Sequence, residues 1–177
     1  MKCIAIGGIP ATGKTTLVRS LMHYIKPENK FKYGLLRGYI KQKNNISVLG
    51  IYEQNEVFAG TDKLSMAVQK DFDRYILRKD FNIVFEGDRL FTRNNLLNLT
   101  ENYQTKIIVL QNDEKVIEER HELRGDNQSD KFKRSRVTKI KNICEEPKLQ
   151  RYIQFCKLSN LEHTEDLAKS IYEFIKS

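Results

Sequence analysis

The residues Gly8-Ile9-Pro10-Ala11-Thr12-Gly13-Lys14-Thr15-Thr16 have the types and spacing needed to hold a chain of phosphates. The pattern is G-x-x-x-x-G-K-[ST]. Gly8 and Gly13 permit backbone angles that side chains would forbid, so that successive N–H groups from Gly8 through Ala11, Thr12 and Thr16 can curl around an anion. A helix opening near Lys14 aims its positive dipole end at the same place. Lys14 would then reach the outer phosphates, and the Thr15 hydroxyl would ligate Mg²⁺. The alternative is a glycine-rich turn that only joins a strand to a helix. Against it stands the frame. The apolar run Cys3-Ile4-Ala5-Ile6 precedes the pattern, and Leu17, Val18, Leu21, Met22 and Ile25 follow at helical spacing.

Two further groups can work on a bound triphosphate. Glu86-Gly87-Asp88-Arg89 ends an apolar run. Glu86 suits the metal or its water shell, Asp88 can accept a proton from an attacking hydroxyl, and Arg89 can grip an acceptor phosphate. These residues can also simply solvate a turn. Arg120, Arg124, Arg134 and Arg136 flank the polar run Arg124–Asp130. Arg120 and Arg124 are candidates for the triphosphate and the transition state, and Arg134 and Arg136 for the acceptor. Phosphoryl transfer depends on positioning, on cations around the transferring group and on a closing lid that excludes water. A solvated basic helix pair is the plainer reading. Asp62, after Gly60, is a substrate candidate, and Thr61 or Asp62 equally fits a helix cap. Arg37, with Tyr39 and Lys41 at alternate positions, can face an acceptor from a strand.

The elements that must position these groups follow from periodicity. The first helix runs to about Ile25 and is closed by Pro27 and Asn29. Two β-prone runs within 35–52, separated by Lys43-Asn44-Asn45, predict an antiparallel hairpin inserted in an otherwise parallel fold. A helix after Gly60 carries Leu64, Val68, Phe72, Tyr75 and Ile76 to near Asp80. Phe81–Phe85 and Lys106–Leu110 read as buried strands, with a short helix at Arg93–Leu99 between them. Asp113 caps a helix to about Leu123, a second runs from Ser135 to Glu145, Tyr152–Leu158 form the last strand, and Thr164 caps the final helix. Alternating strands and helices predict an α/β fold: a parallel sheet of about five strands covered on both faces, with the hairpin near 35–52 and an arginine-rich lid near 120–141. Ligands then bind at the rim where strands end and helices begin.

Composition sets the outer bounds. The 177 residues suit a single domain spanning 1–177, and 40% hydrophobic with 31% charged residues fits a globular protein. No apolar run approaches the roughly 18 residues of a membrane span, and the immediate entry into a strand leaves no room for a leader. Cys3, Cys144 and Cys156 are too few and too scattered for a disulfide framework or a zinc cluster, so reduced thiols and a cytoplasmic location are expected. His23, His121 and His163 show no metal spacing. The net charge of +8 favours a polyanionic partner such as nucleic acid, or reflects only a lysine-rich composition.

GGIPATGKTT, FEGDR and the arginine-bearing lid together resemble the nucleotide-kinase branch of the P-loop NTPases, which includes adenylate, thymidylate and polynucleotide kinases. The likeness is specific over residues 3–22 and positional over 114–141. Within that branch, FAGTDKLSMAV, VFEGDRLF and RSRVTKIKNI are similar to small bacteriophage kinases that phosphorylate the hydroxymethyl group of 5-hydroxymethyluracil in DNA. The resemblance implies ATP and Mg²⁺ held by Lys14 and Thr15, Asp88 near the acceptor, lid arginines closing on the phosphates, DNA as substrate and the host cytoplasm as location. Two departures stand out. Glu86-Gly87-Asp88-Arg89 does not match the Asp-Gly-Phe-Pro-Arg type of adenylate kinases, and Leu90 stands where thymidylate kinases have tyrosine. The competing expectations are a deoxynucleoside monophosphate kinase and a nucleotide-dependent nucleic-acid-binding module without phosphotransfer.

Overall fold

The computed structural model describes residues 1–53, 59–123 and 129–177. β1 (Lys2–Gly7) leads through the glycine-rich turn into α1 (Lys14–Ile25). Lys26 ends that helix in the left-handed region at φ 50°, its N–H bonded to the Met22 carbonyl, because Pro27 cannot continue the helix. Three strands follow: β2 (Asn29–Tyr33), β3 (Leu36–Lys41) and β4 (Ile46–Leu49). Then come α2 (Gln69–Arg78), β5 (Asn82–Glu86), α3 (Arg93–Asn102), β6 (Gln104–Gln111), α4 (Glu114–Leu123), α5 (Asp130–Cys144), β7 (Ile153–Lys157) and α6 (Leu161–Lys176).

Among the described residues the sheet has seven strands in the order β2-β3-β4-β5-β1-β6-β7, of which five, β4-β5-β1-β6-β7, pair in parallel as expected and two, β2 and β3, are antiparallel. The turn at Lys43–Asn45 does join antiparallel strands, with Asn45 at φ 49°. It is no insertion, however. β4 pairs in parallel with β5 and so belongs to the main sheet, while β2 and β3 extend it antiparallel at the edge. Asn29, expected to close α1, opens β2 instead.

Strand alternation divides the core into two layers. Cys3, Ala5, Leu49, Ile83, Phe85, Ile107 and Val109 face one side, against Phe72 and Ile76 of α2, Leu96 and Leu99 of α3, and Ile143 of α5. Ile4, Ile6, Ile46, Val48, Val84, Ile108 and Leu110 face the other, against Leu17, Leu21 and Ile25 of α1 and Ile171 and Ile175 of α6. Each fully buried Ile, Leu, Val or Phe among them contributes about 1.5–3 kcal/mol.

Three helix starts differ from expectation. α2 begins at Gln69, so neither Thr61 nor Asp62 caps it; both are engaged elsewhere. α5 begins at Asp130, with the Ser129 hydroxyl accepting from Phe132 N at 3.3 Å. α6 is capped by Asn160, whose side chain accepts from His163 N at 2.8 Å, while Thr164 lies inside the helix and donates to the Asn160 carbonyl. Among the described residues no helix is long and apolar enough to cross a membrane.

Candidate active site

Parallel pairing sets the rim. Ile6 lies beside Glu86 and Gly7 beside Val109, so the ends of β1, β5 and β6 open at one place. Gly13 at φ 97° turns the chain into α1, and Ala11 takes the left-handed region at φ 65°, a conformation that side-chain-bearing residues adopt mainly where surroundings enforce it. The buried Thr12 hydroxyl donates to the Ile9 carbonyl at 2.8 Å, holding the loop's curl. Lys14 Nζ folds over that loop and donates to the carbonyls of Gly8 (2.8 Å) and Ile9 (2.9 Å). The ammonium thus stands at the mouth of a backbone cradle, beside the N-terminus of α1.

Thr15 and Glu86 meet there. The Thr15 hydroxyl donates to Glu86 Oε1 at 3.0 Å, and Glu86 is only 2% exposed. Burial pushes the Glu86 carboxyl up to about 7, against the opposing pull of Lys14 and the Thr15 hydrogen bond, with Asp62 and Asp88 adding repulsion. A buried carboxylate disfavoured by its surroundings, hydrogen-bonded to the Thr15 hydroxyl beside the Gly8–Thr16 loop, fits a divalent cation. Mg²⁺ takes few protein oxygens and keeps waters and phosphates as its other ligands. Among the described residues no cluster of three or more His, Cys, Asp or Glu side chains could hold a metal by itself. A cation here would depend on the phosphates it accompanies.

The segment before α2 braces this acid. The buried Thr61 hydroxyl donates to the Glu86 carbonyl at 2.9 Å. Asp62 accepts from the backbone N–H of Arg89 at 2.8 Å, and Arg89 returns a hydrogen bond to the Asp62 carbonyl at 3.0 Å and touches Met66 Sδ. Asp62 and Arg89 therefore lie together beside Asp88, tying the loop after β5 to the loop after Gly60.

Asp88 faces α5. Arg136 Nε lies 3.0 Å from its carboxylate, as an ion pair without hydrogen-bond alignment, and Lys139 Nζ lies 3.8 Å from the other oxygen. Lys139 also donates to the Asp88 carbonyl at 2.6 Å. Burial pulls the Lys139 amine below its ordinary range, against the attraction of Asp88. Phe132 supports the arrangement, its ring 4.4 Å beneath the Arg136 guanidinium. Lys139 was not among the candidates. Its i, i+3 relation to Arg136, inside the helix expected from Ser135 to Glu145, is the signal that could have found it.

The arginine cluster is divided. Arg120 reaches behind the Gly8–Thr16 loop, donating to the carbonyls of Ala11 and Leu158, each at 3.2 Å. With its amide oxygen turned toward that guanidinium, Asn112 accepts from Arg120 Nη1 at 2.7 Å. A cleft of about 330 Å³ opens beside it, walled by Gly13, Thr16, Leu158, Asn160 and Thr164. Leu158 and Asn160 carried no chemical signal in the sequence. Arg134 is exposed on α5 and has no ion pair among the described residues. Arg37 is exposed on β3 and lines a separate groove with Lys30, Lys32 and Tyr39. Arg124 and the polar run following it, to Gln128, lie outside the described residues.

No family model matches the sequence, and no curated protein does. Among solved structures, the chain is similar to an uncharacterized protein from Eubacterium ventriosum ATCC 27560 at 15% identity. That match covers 100% of this chain and 99% of the other, with a TM-score of 0.48. It is also similar to the shikimate kinase from Acinetobacter baumannii, solved in complex with shikimate, at 13% identity. Coverage there is 98% of this chain and 92% of the other, with a TM-score of 0.49. At such identity and TM-score neither likeness decides the chemistry.

Proposed function

We propose that this chain is an ATP-dependent phosphotransferase of the P-loop kinase type, a single domain acting on a hydroxyl acceptor. The observation that carries the reading is the meeting of Lys14, Thr15 and buried Glu86 at the mouth of the loop, with Asp88 beside them and a cationic helix docked on it. A strand-to-helix turn alone needs none of these. ATP would lie with its phosphates in the Gly8–Thr16 cradle and its nucleoside end in the cleft beside Arg120. Mg²⁺ held between Thr15, the Glu86 side and the phosphates would neutralise charge on the transferring group.

The chain's own residues then have separable tasks. Lys14 leaves the carbonyls of Gly8 and Ile9 for the outer phosphates. Asp88 accepts the proton of the acceptor hydroxyl as its oxygen bonds to the γ-phosphorus and the bond to the β-phosphate oxygen breaks, releasing ADP. Arg136 and Lys139 now neutralise Asp88. Their transfer to the developing γ-phosphoryl charge would free the carboxylate at the moment it is needed. Arg89 and Asp62 hold the acceptor loop, and Arg124 and Arg134 remain candidates for the closed lid.

The finer reading is that the acceptor is the hydroxymethyl group of 5-hydroxymethyluracil within DNA. A hydroxyl, unlike an anionic phosphate acceptor, benefits from a positioned base such as Asp88, and the net charge of +8 suits a polyanion. A cytoplasmic setting, that of a host if the chain is of phage origin, goes with this reading. Transfer from γ-labelled ATP to DNA containing 5-hydroxymethyluracil, compared with unmodified DNA and free deoxynucleotides, tests it. Labelling of the modified DNA alone is the expected result. Labelling of a free deoxynucleoside monophosphate alone would make the chain a mononucleotide kinase, and ATP binding without transfer to any acceptor would make it a nucleotide-dependent binding module.

A further inference from the structure

The groove at the β2–β3 edge is not needed to hold ATP, yet it has a consistent chemistry. The register places Lys30 opposite Tyr39 and Lys32 opposite Arg37, so all four side chains stand on one face. Farther into the sheet the same face continues through Val48 and is covered by α1. Over β2 and β3 Lys30, Lys32 and Arg37 are exposed. None of these three has a carboxylate within ion-pair distance among the described residues, whereas Lys41, next on that face, pairs with Glu28 at 2.6 Å. Tyr39 is locked: its hydroxyl donates to the Tyr52 carbonyl at 3.1 Å and accepts from Tyr52 N at 3.2 Å, and Lys30 Nζ lies 6.0 Å from its ring centre. A cavity of about 380 Å³ opens on this face, with Glu53 as its acidic lining residue.

The groove leads toward the active site. Gly50 and Ile51 line it, and Ile51 and Gly60 exchange backbone hydrogen bonds of 3.0 and 2.9 Å. The backbone of Gly60 in turn packs directly on the Glu86 carboxylate. We propose that this cationic face of β2 and β3 is a track for the phosphodiester backbone of a single-stranded nucleic acid, leading past Gly50 and Ile51 to the candidate active site. Sequence-tolerant binding of a single strand requires a row of cations with an aromatic face among them, and both are present. Lys30 and Lys32, two residues apart on an extended strand, are separated by about 7 Å along it, comparable to the step between phosphates of an extended strand. The rigid Tyr39 ring and the planar Arg37 guanidinium favour bases over an acidic peptide, which has no π-face to stack. The proposal rests on the nucleic-acid acceptor of the preceding section, but its test is separate.

A labelled oligothymidylate of about twelve nucleotides is titrated with the protein by fluorescence anisotropy, at rising salt. Wild type is expected to bind, and Lys30→Glu/Lys32→Glu to bind about tenfold or more weakly, with its salt slope shallower by about 1.4. Lys30→Gln/Lys32→Gln should weaken binding in the same direction. Both variants should keep the thermal stabilisation that wild type gains from ATP, which also verifies their fold. No binding by wild type, unchanged affinity in the charge-reversed variant, or equal affinity for polyglutamate of similar length each overturns the track. If the oligonucleotide binds through these lysines but no phosphate is transferred to any acceptor, the kinase reading fails and the track stands.

Discussion

Thr15 and Glu86, 71 residues apart in sequence, share a 3.0 Å hydrogen bond at the mouth of the Gly8–Thr16 loop. Parallel pairing of β1 with β5 sets this distance, and the Thr61 hydroxyl holds the Glu86 backbone from the other side. Glu86 therefore cannot retreat into solvent, and its ionisation is linked to folding.

The folded carboxyl titrates at about 7, above its ordinary value of 4.5. A raised carboxyl binds its proton more tightly in the folded state, so its favourable contribution is complete below about 4.5 and is lost as pH rises toward 7. The loss amounts to about 3 kcal/mol. Urea unfolding of the ligand-free protein at pH 5 and pH 7.5 should show Glu86→Gln gaining stability relative to wild type by that order at the higher pH. A difference between the two proteins that does not change with pH would refute the buried-acid account.

Lys14→Ala should abolish transfer, lowering it by at least about 10²–10³-fold, because the variant lacks a cation aimed at the developing charge. Its cost to stability should be near 1 kcal/mol, from leaving the Gly8 and Ile9 carbonyls without the ammonium. Transfer assays and thermal unfolding on the same preparation check both. Retained transfer in the folded variant would remove the mechanism.

Asp88→Asn should slow transfer by about 10²–10⁴-fold while changing ATP affinity little. The asparagine keeps the main-chain carbonyl that Lys139 uses but loses the charge that draws Arg136. Single-turnover rates beside nucleotide titrations separate the two effects. A collapse of ATP affinity would instead place Asp88 with the metal.

Asn160→Ala should cost about 1 kcal/mol through loss of the cap on α6. Because Asn160 also walls the cleft beside Arg120, nucleotide affinity should fall as well. Denaturant unfolding with and without ATP distinguishes the two contributions, and a neutral variant would deny the cap.

Much of the site could be read from the chain because its signals are local. The loop's glycines and lysine, the strand before Glu86 and the turn at Asn45 are each specified within a few residues. β2 could not be read so easily: Asn-Lys-Phe-Lys-Tyr has no apolar run, and only pairing with β3 makes it a strand. Thr61 and Asp62 resemble a cap in isolation, but their side chains go to Glu86 and Arg89 across the fold. Lys139 shares a helix face with Arg136, but its bond to Asp88, 51 residues away, and the burial that sets its amine apart are not local signals.

α4 is held by little apolar burial. His121 is its one buried residue, Leu123 is 87% exposed, and Arg120 ties it to the carbonyls of Ala11 and Leu158. With so little apolar burial, this helix should open locally at far lower free energy than α1 or α6. A nucleoside in the adjoining cleft would fasten it at the Arg120 end. Its amide hydrogens should therefore exchange rapidly in the free protein and slow when ATP binds, making α4 a built-in reporter of nucleotide occupancy.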